Sequence, residues 1–454
     1  MTIEEILGLG SPDKIIEALK QKSVEIPEWE KLKKEYDPKE HPVMTDSNYQ
    51  DKVVDGIVEK VTRITQDLQR LAVKRTTELV FGLPVKRIYK AQTEGEKQVA
   101  QVIEAILDRN RIDSVNTERG NMLFAGCEVA TLWYAVEEPN HLYGVDSKLK
   151  IRCKSYSPMR GDNLYPLFDD TDDMAAMSFG YKRKRGDKDI EYFDVYTNNL
   201  HIRYVNEGSW AEQIREAISI MKIPVVYAYR PTPIWEDTSN IVYEIEWALS
   251  RNGNYLRANS APIYVVAADE EIEFGEEKQN EWKKVFQYPK GSVASYVTWE
   301  QATEALKFHV SELRQSFFTQ LQLPDWSYEN MKSTPMSGEA RKMMFIDPQM
   351  KAKDESGRLI EMLDREINII KAFVKIILPG KDKDVDSLQV ETIITPFTIR
   401  DDKEEAETIM TMTGGKAVMS QREGIQTLGK SSDVDETMRQ LSEEATANLM
   451  EPTM

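Results

Sequence analysis

The chain has 454 residues, 41% of them hydrophobic, with 59 Lys and Arg against 77 Asp and Glu and a formal charge of −18. That length can bury a sizeable core and divides into two to four modules. A surface this acidic does not grip nucleic acid by counterion release, which needs clustered Lys and Arg. No stretch approaches the roughly 18 uncharged apolar residues of a membrane span. Met1-Thr2-Ile3-Glu4-Glu5 lacks the basic and apolar regions of a signal peptide. The two cysteines, Cys127 and Cys153, lie in apolar or strand-like contexts and read as reduced, buried thiols of a chain made in a cytosol.

In chain order, residues 1 to about 45 read as one short helix (12–22) and a polar tether containing Pro27, Pro38 and Pro42. Residues 47–81 read as one long helix, because Val53, Ile57, Val61, Ile64, Leu68 and Leu71 recur at three- and four-residue steps. Gly82-Leu83-Pro84-Val85 stops it. Helices over 94–110 and 115–123 follow, the second passing into a strand around residues 126–134. From 149 to 226 the period changes to two, which predicts short antiparallel strands joined by polar turns.

Two long amphipathic helices come next. Residues 238–260 open with the N-cap candidates Asp237, Thr238 and Ser239; residues 300–322 stop before Pro324. Each spans about 34 Å at 1.5 Å per residue. Their equal lengths predict an antiparallel pair carrying the insert Pro262–Trp299 at its tip, with probable strands at Ile263–Val266 and Tyr296-Val297. Gly253 falls in mid-helix, where it costs roughly 1 kcal/mol relative to Ala and is a candidate kink. A third long helix begins at Ser337-Gly338-Glu339 and runs to Pro379-Gly380, with Asp347-Pro348 expected to break or bend it. One strand (390–397) and two or three short helices close the chain. The fold class is α+β.

Several of these runs resemble the portal proteins of tailed double-stranded DNA bacteriophages. They are Phe81-Gly82-Leu83-Pro84-Val85, the Gly126–Tyr134 run, Ile223-Pro224-Val225-Val226 and Tyr255-Leu256-Arg257-Ala258-Asn259. Ser337-Gly338-Glu339-Ala340-Arg341-Lys342 is similar to the start of the family's long helix; Gly414–Ser420 and Asp433–Glu436 resemble its ending. Together they cover roughly residues 45–445.

The resemblance implies a portal fold in a ring oligomer, a dodecamer in the family. Its parts would be an N-terminal arm and wing (1–236), stem helix 1 (237–261), a clip (262–298) and stem helix 2 (299–323). A tunnel loop (324–336), a long spine helix (337–379) and a C-terminal strand with crown helices (380–454) complete it. The implied role is a non-enzymatic DNA conduit in the virion, assembled in the bacterial host cytoplasm. Its implied partners are double-stranded DNA, the large terminase, major capsid and scaffolding proteins, and head-completion adaptor or tail proteins, with no membrane and no cofactor. Trp326, Tyr328, Met331 and Lys332 of the loop, with Arg341 and Lys342, would face the DNA. Glu276, Glu277, Lys283 and Lys284 of the clip would meet the terminase or adaptor. An acidic wall suits such a conduit, since it repels phosphate.

Catalytic chemistry finds little support. Asp169-Asp170-Thr171-Asp172-Asp173 is the one dense carboxylate cluster, but Met174 and Gly180 stand where a calcium loop needs Gly and Glu. A solvated turn is the simpler reading. Gly414-Gly415-Lys416 lacks the upstream Gly of a phosphate-binding loop, and Ala417 follows the Lys. His41, His141, His201 and His309 stand far apart, with no ligand spacing. Lys182–Arg185 reads as a solvated strand end. Two rivals stay open: a metal-dependent phage nuclease using Asp169–Asp173, and a non-ring minor capsid or adaptor protein.

Overall fold

The computed structural model describes residues 1–21, 23–54, 57–186, 188–259, 263–267, 293–297, 303–323, 325, 345–397, 402–414, 417–429, 431 and 434–450. The N-terminal region departs from the expected tether and holds four short helices. These are α1 (Ile3–Leu7), α2 (Pro12–Leu19), α3 (Trp29–Tyr36) and α4 (Pro42–Thr45). Local sequence explains them: Thr2 and Glu5 form a reciprocal capping box, and Pro12 and Pro42 occupy first turns, where a missing N–H costs nothing. Tyr36 stacks on Trp235 with ring centroids 5.4 Å apart, which fastens α3 to the body.

The single helix expected over 47–81 is also corrected. Strands β1 (Lys52–Val54) and β2 (Ile57–Glu59) pair antiparallel, residues 60–67 carry no regular element, and only α5 (Leu68–Phe81) is helical. Val53, Val54, Ile57, Val58, Val61, Thr62, Ile64 and Thr65 are all β-branched, so their stiff χ1 favours extended backbone despite their helix-like spacing.

Strand β3 (Lys86–Tyr89), then α6 (Glu94–Arg109) and α7 (Ile112–Gly126), lead into the sheets. Their strands are β4 (Glu128–Asn140), β5 (Ser147–Tyr156), β6 (Asn163–Phe168), β7 (Met174–Arg185), β8 (Lys188–Tyr196), β9 (Leu200–Asn206), β10 (Trp210–Ala217) and β11 (Val225–Tyr229). Strands β6 to β10 form one antiparallel meander, and β11-β4-β5 form a second sheet. Next come α8 (Ser239–Asn259), the antiparallel strands β12 (Ile263–Ala267) and β13 (Val293–Val297), and α9 (Thr303–Gln320). The chain continues with α10 (Ile346–Ile377), α11 (Asp382–Ser387), β14 (Val390–Ile393), α12 (Asp402–Thr413), α13 (Gln421–Leu428) and α14 (Val434–Met450). Strand β14 returns to pair with β3.

Side-chain alternation stacks these elements in layers. On β4, Val129 and Trp133 face the helices α5, α6, α7 and α10, while Ala130 and Leu132 face the meander through Leu164, Met177 and Phe179. The opposite face of the meander presents Phe193, Val195, Ile202 and Tyr204 to Ile6, Ile15, Ile16 and Leu19 of α1 and α2. So the N-terminal helices are a structural layer of the body.

One ionic group sits inside the helical layer. Glu366 on α10 receives both guanidinium arms of Arg119 on α7, at 2.7 and 2.9 Å, and the Trp133 indole N–H at 3.1 Å. Both charged side chains are essentially inaccessible. Asn116 accepts a further bond from Arg119, so three elements meet on one carboxylate.

Candidate functional site: a long helix pair and the root of its loop

Helix α8 and helix α9 pack together, and among their described residues the fully buried apolar side chains lie at the inner ends, Val242 and Ile245 on one and Phe317 and Phe318 on the other, with Leu321 just beyond. Ile263 pairs with Val297 across the far ends, which makes the two helices antiparallel. The expected helix pair with a strand-bearing insert at its tip is present in this form.

The run 60–67 lies along α8. Backbone N–H groups of Thr62, Ile64 and Gln66 donate to Asn254 Oδ1 (2.6 Å), Ser250 Oγ (2.8 Å) and Glu246 Oε1 (2.7 Å). Two residues of extended chain advance about 6.7 Å, and four residues of helix advance about 6 Å. The two repeats therefore match, and the polar residues spaced four apart on α8 satisfy every second amide of the strap.

Helix α8 runs without interruption from Ser239 to Asn259, so Gly253 marks a close approach and not a break. A Cβ built there would lie 2.6 Å from Thr62 Cγ2. Gly253→Ala should lower the midpoint of denaturant unfolding, because a clash of about 1–3 kcal/mol exceeds the roughly 1 kcal/mol gained in helix propensity. In a Thr62→Ala background the loss should shrink, since only the residue-62 Cβ at 3.2 Å then remains in the way; an unchanged loss there would contradict the packing.

The strap ends at a buried polar junction. His41 Nδ1 lies 2.7 Å from Glu246 Oε1, His41 Nε2 lies 2.9 Å from the Glu35 carbonyl, and both side chains are 0% exposed. Both ring nitrogens face acceptors, so only the imidazolium satisfies both. Burial alone would lower the His41 pKa, but the bond and charge of Glu246 outweigh it and the pKa is raised. A group with a raised folded pKa stabilises most below its ordinary value near 6.5 and loses that contribution as pH climbs through the raised value. The stability gap between wild type and His41→Gln should thus be widest near pH 6 and narrow toward pH 9 in thermal melts. Glu35 completes the junction by accepting from the Trp235 indole and the Ser239 hydroxyl at 2.9 and 2.7 Å.

Helix α9 ends in a left-handed cap. Gln322 has φ 53°, and the Leu323 amide donates to the Phe318 carbonyl at 3.0 Å, the six-to-one bond of a Schellman turn. Asp325 follows, held by Arg314 Nε at 3.0 Å and Arg75 of α5 at 3.5 Å, with the Arg75 guanidinium over the Phe318 ring. Asp325 itself is therefore held by charge beside an aromatic shelf. Sequence reasoning missed Arg75 and Arg314, whose partner lies 250 residues from Arg75 in the chain.

The loop residues Trp326, Tyr328, Met331 and Lys332, then Arg341 and Lys342, lie outside the described residues, as do Glu276, Glu277, Lys283 and Lys284. Beyond the loop, α10 begins at Ile346 with Pro348 in its first turn, so Asp347-Pro348 marks a helix start. Lys351 in that helix is close to Glu355 and Arg230, and burial pushes its ammonium down to about 8. Arg230 and Glu355 pair at 3.1 Å.

The Asp169–Asp173 cluster is a solvated turn between β6 and β7. Asp169 Oδ1 accepts from the Thr171 amide and hydroxyl and from the Asp173 amide, and this holds its carboxyl below the ordinary range. Among the described residues no His, Cys, Asp and Glu grouping is arranged to hold a metal ion. None of their helices is long and apolar enough to cross a membrane. Lys182 pairs with Glu191, and Arg183 lies over Tyr181, which uses the basic strand end within its own sheet. His309 on α9 faces Glu244 on α8 at 3.6 Å. Burial raises the Cys127 thiol to about 12 and the Cys153 thiol to about 11, and both are free.

A mixed body from which a matched helix pair projects, with a braced loop root and α10 beyond it, defines a structural class of protein. The sequence profile of the phage portal proteins of the SPP1 Gp6-like kind matches residues 17–449, and the chain belongs to that family. It is a portal protein, a structural component of the phage virion. No curated protein sequence matches the chain. Among solved structures, a chain from the neck of an empty gene transfer agent particle aligns at 11% identity and TM-score 0.41, over 79% of this chain and 89% of that one. A chain from the virion of a native gene transfer agent particle aligns at 11% identity and TM-score 0.39, over 91% and 98%.

Proposed function

We propose that the protein is the subunit of a ring through which double-stranded DNA enters and leaves a phage capsid. In this reading α8 and α9 are the stem, β12 and β13 belong to the clip, residues 324–336 form the tunnel loop and α10 is the spine of the wing. The observation that carries it is the family match across residues 17–449, joined to a helix pair whose inner ends are anchored in the core. Trp326, Tyr328, Met331, Lys332, Arg341 and Lys342 would meet the DNA weakly and without regard to sequence. Glu276, Glu277, Lys283 and Lys284 would meet the terminase during packaging and the head-completion adaptor or tail proteins afterwards. Scaffolding and major capsid proteins would surround the ring at its vertex. No chemical step is assigned to the chain.

Electron microscopy of purified protein tests this directly. Closed rings of about a dozen copies are expected, since a head-to-tail interface repeated around one axis closes on itself. A monomer at all salt and protein concentrations overturns the reading.

A further inference from the structure

A cleft of about 230 Å³ lies between the C-terminal part of α10 and the turn that links β10 to β11. Asn368, Lys371 and Lys375 line it from one face of α10, since they recur at three- and four-residue steps. Asp386 of α11, with Ser219 and Lys222 of the turn, completes the polar lining. Beneath it Ile220 and Ala372 are buried and apolar.

The charges of this lining do not balance. Three ammonium groups stand against one carboxylate, on a chain whose net charge is −18. Lys375 spends its charge on Asp386 at 2.7 Å. Lys371 is half-buried, and its ammonium donates to the Leu388 carbonyl, a neutral partner. That bond uses one of its three N–H donors. Lys222 is exposed and makes no ion pair among the described residues. Burial holds the Lys371 pKa below its ordinary value; Asp386 opposes this, while Lys222 and Lys375 add to it. Beyond the Lys375–Asp386 pair, two cations therefore share one concavity with no carboxylate of their own. Like charges beside an apolar floor are unfavourable until an anion joins them.

Size and charge define that anion. Drug-sized ligands need roughly 300 Å³ or more, so this smaller cleft takes a single compact group. Its surplus of two positive charges matches a dianion, and the Asn368 amide and Ser219 hydroxyl line the same cleft as neutral donors. Lysine suits such an ion, as a point charge with freely rotating donors. A backbone phosphate of nucleic acid brings only one charge and a chain on both sides of it.

We infer that this cleft binds a free phosphate-type dianion between Lys222 and Lys371. The ion neutralises both ammonium groups and joins the β10–β11 turn to α10. All the residues come from one copy, so the site stands whether or not the chain closes into a ring.

Thermal unfolding of the full chain, with phosphate and chloride compared at equal ionic strength, tests the site. About 20 mM phosphate should raise the midpoint by about 2 °C or more, because an ion that binds only the folded chain stabilises it. Phosphate also strengthens apolar burial in general, so the variants carry the decision. Lys222→Gln changes an exposed residue of a turn and should remove at least roughly half of the phosphate-specific gain. Lys371→Met should remove more; if it fails to fold, Lys222→Gln decides alone. The phosphorus NMR signal of inorganic phosphate should broaden with wild type and stay sharp with Lys222→Gln. An equal gain in wild type and variants overturns the inference as a general salt effect. Acetate as effective as phosphate overturns it in favour of a carboxylate from another protein. A short DNA duplex that gives the gain where phosphate does not overturns it in favour of a nucleic-acid site.

Discussion

Glu366→Ala should lower stability by about 3–5 kcal/mol, the largest loss expected from any single substitution described above. The reason is what stays behind. Arg119 would keep its full charge in an inaccessible site, and the Trp133 indole would lose its acceptor. Arg119→Met combined with Glu366→Leu should cost less than either single removal, about 1–3 kcal/mol, because only the Trp133 indole donor and the Asn116 side-chain oxygen are then stranded. Denaturant unfolding of the four proteins of this cycle checks the expectation. Equal, additive losses would mean that Arg119 and Glu366 do not act as a pair.

The second large effect is functional. Replacing residues 326–336 by a short linker, with Asp325 retained, should leave ring assembly intact and reduce DNA packaging or retention by about tenfold or more in a phage assay. The loop root justifies keeping Asp325: Arg75 and Arg314 hold it, so the end of α9 stays tied to the middle of α5 when the loop is shortened. A stretch this long between two helices exceeds the common two to eight residues, which argues for a task beyond connection. Normal packaging by the shortened protein would take the DNA-facing role away from Trp326, Tyr328, Met331 and Lys332. Loss of rings instead would assign the loop to assembly.

Much of the architecture was legible because the long helices carry their own signals. Thr238–Asn259, the 300–322 stretch and Leu359–Ile377 repeat apolar residues at helical steps and end at Pro or at a cap, so their type and approximate limits follow from pattern. The sheets were visible as a change of period. The misreading of 47–67 has a physical origin: Val53, Ile57, Val61 and Ile64 sit at helical spacing for reasons unrelated to a helix. Their β-branching and the Asp55-Gly56 pair, a common hairpin turn, were the countervailing signals. The Thr2–Glu5 capping box was likewise present and unread. By contrast, no local pattern tells that Asn254, Ser250 and Glu246 serve the amides of residues nearly two hundred positions earlier. Nor does one tell that Arg75 will meet Asp325. The loop and insert residues named from the family resemblance rest on that resemblance alone.

The strap along α8 has a mechanical consequence. Its three amides engage side chains one helical repeat apart, so there is no intermediate position in which they remain bonded; the next matching setting is about 6 Å away along the rod. Small axial displacements are thereby forbidden, like those of a key held by several wards at once. A force that tilts or shifts this rod must carry residues 60–67 and α4 with it, and His41, which precedes α4 and is bonded to the same Glu246, is the pin through which that load passes.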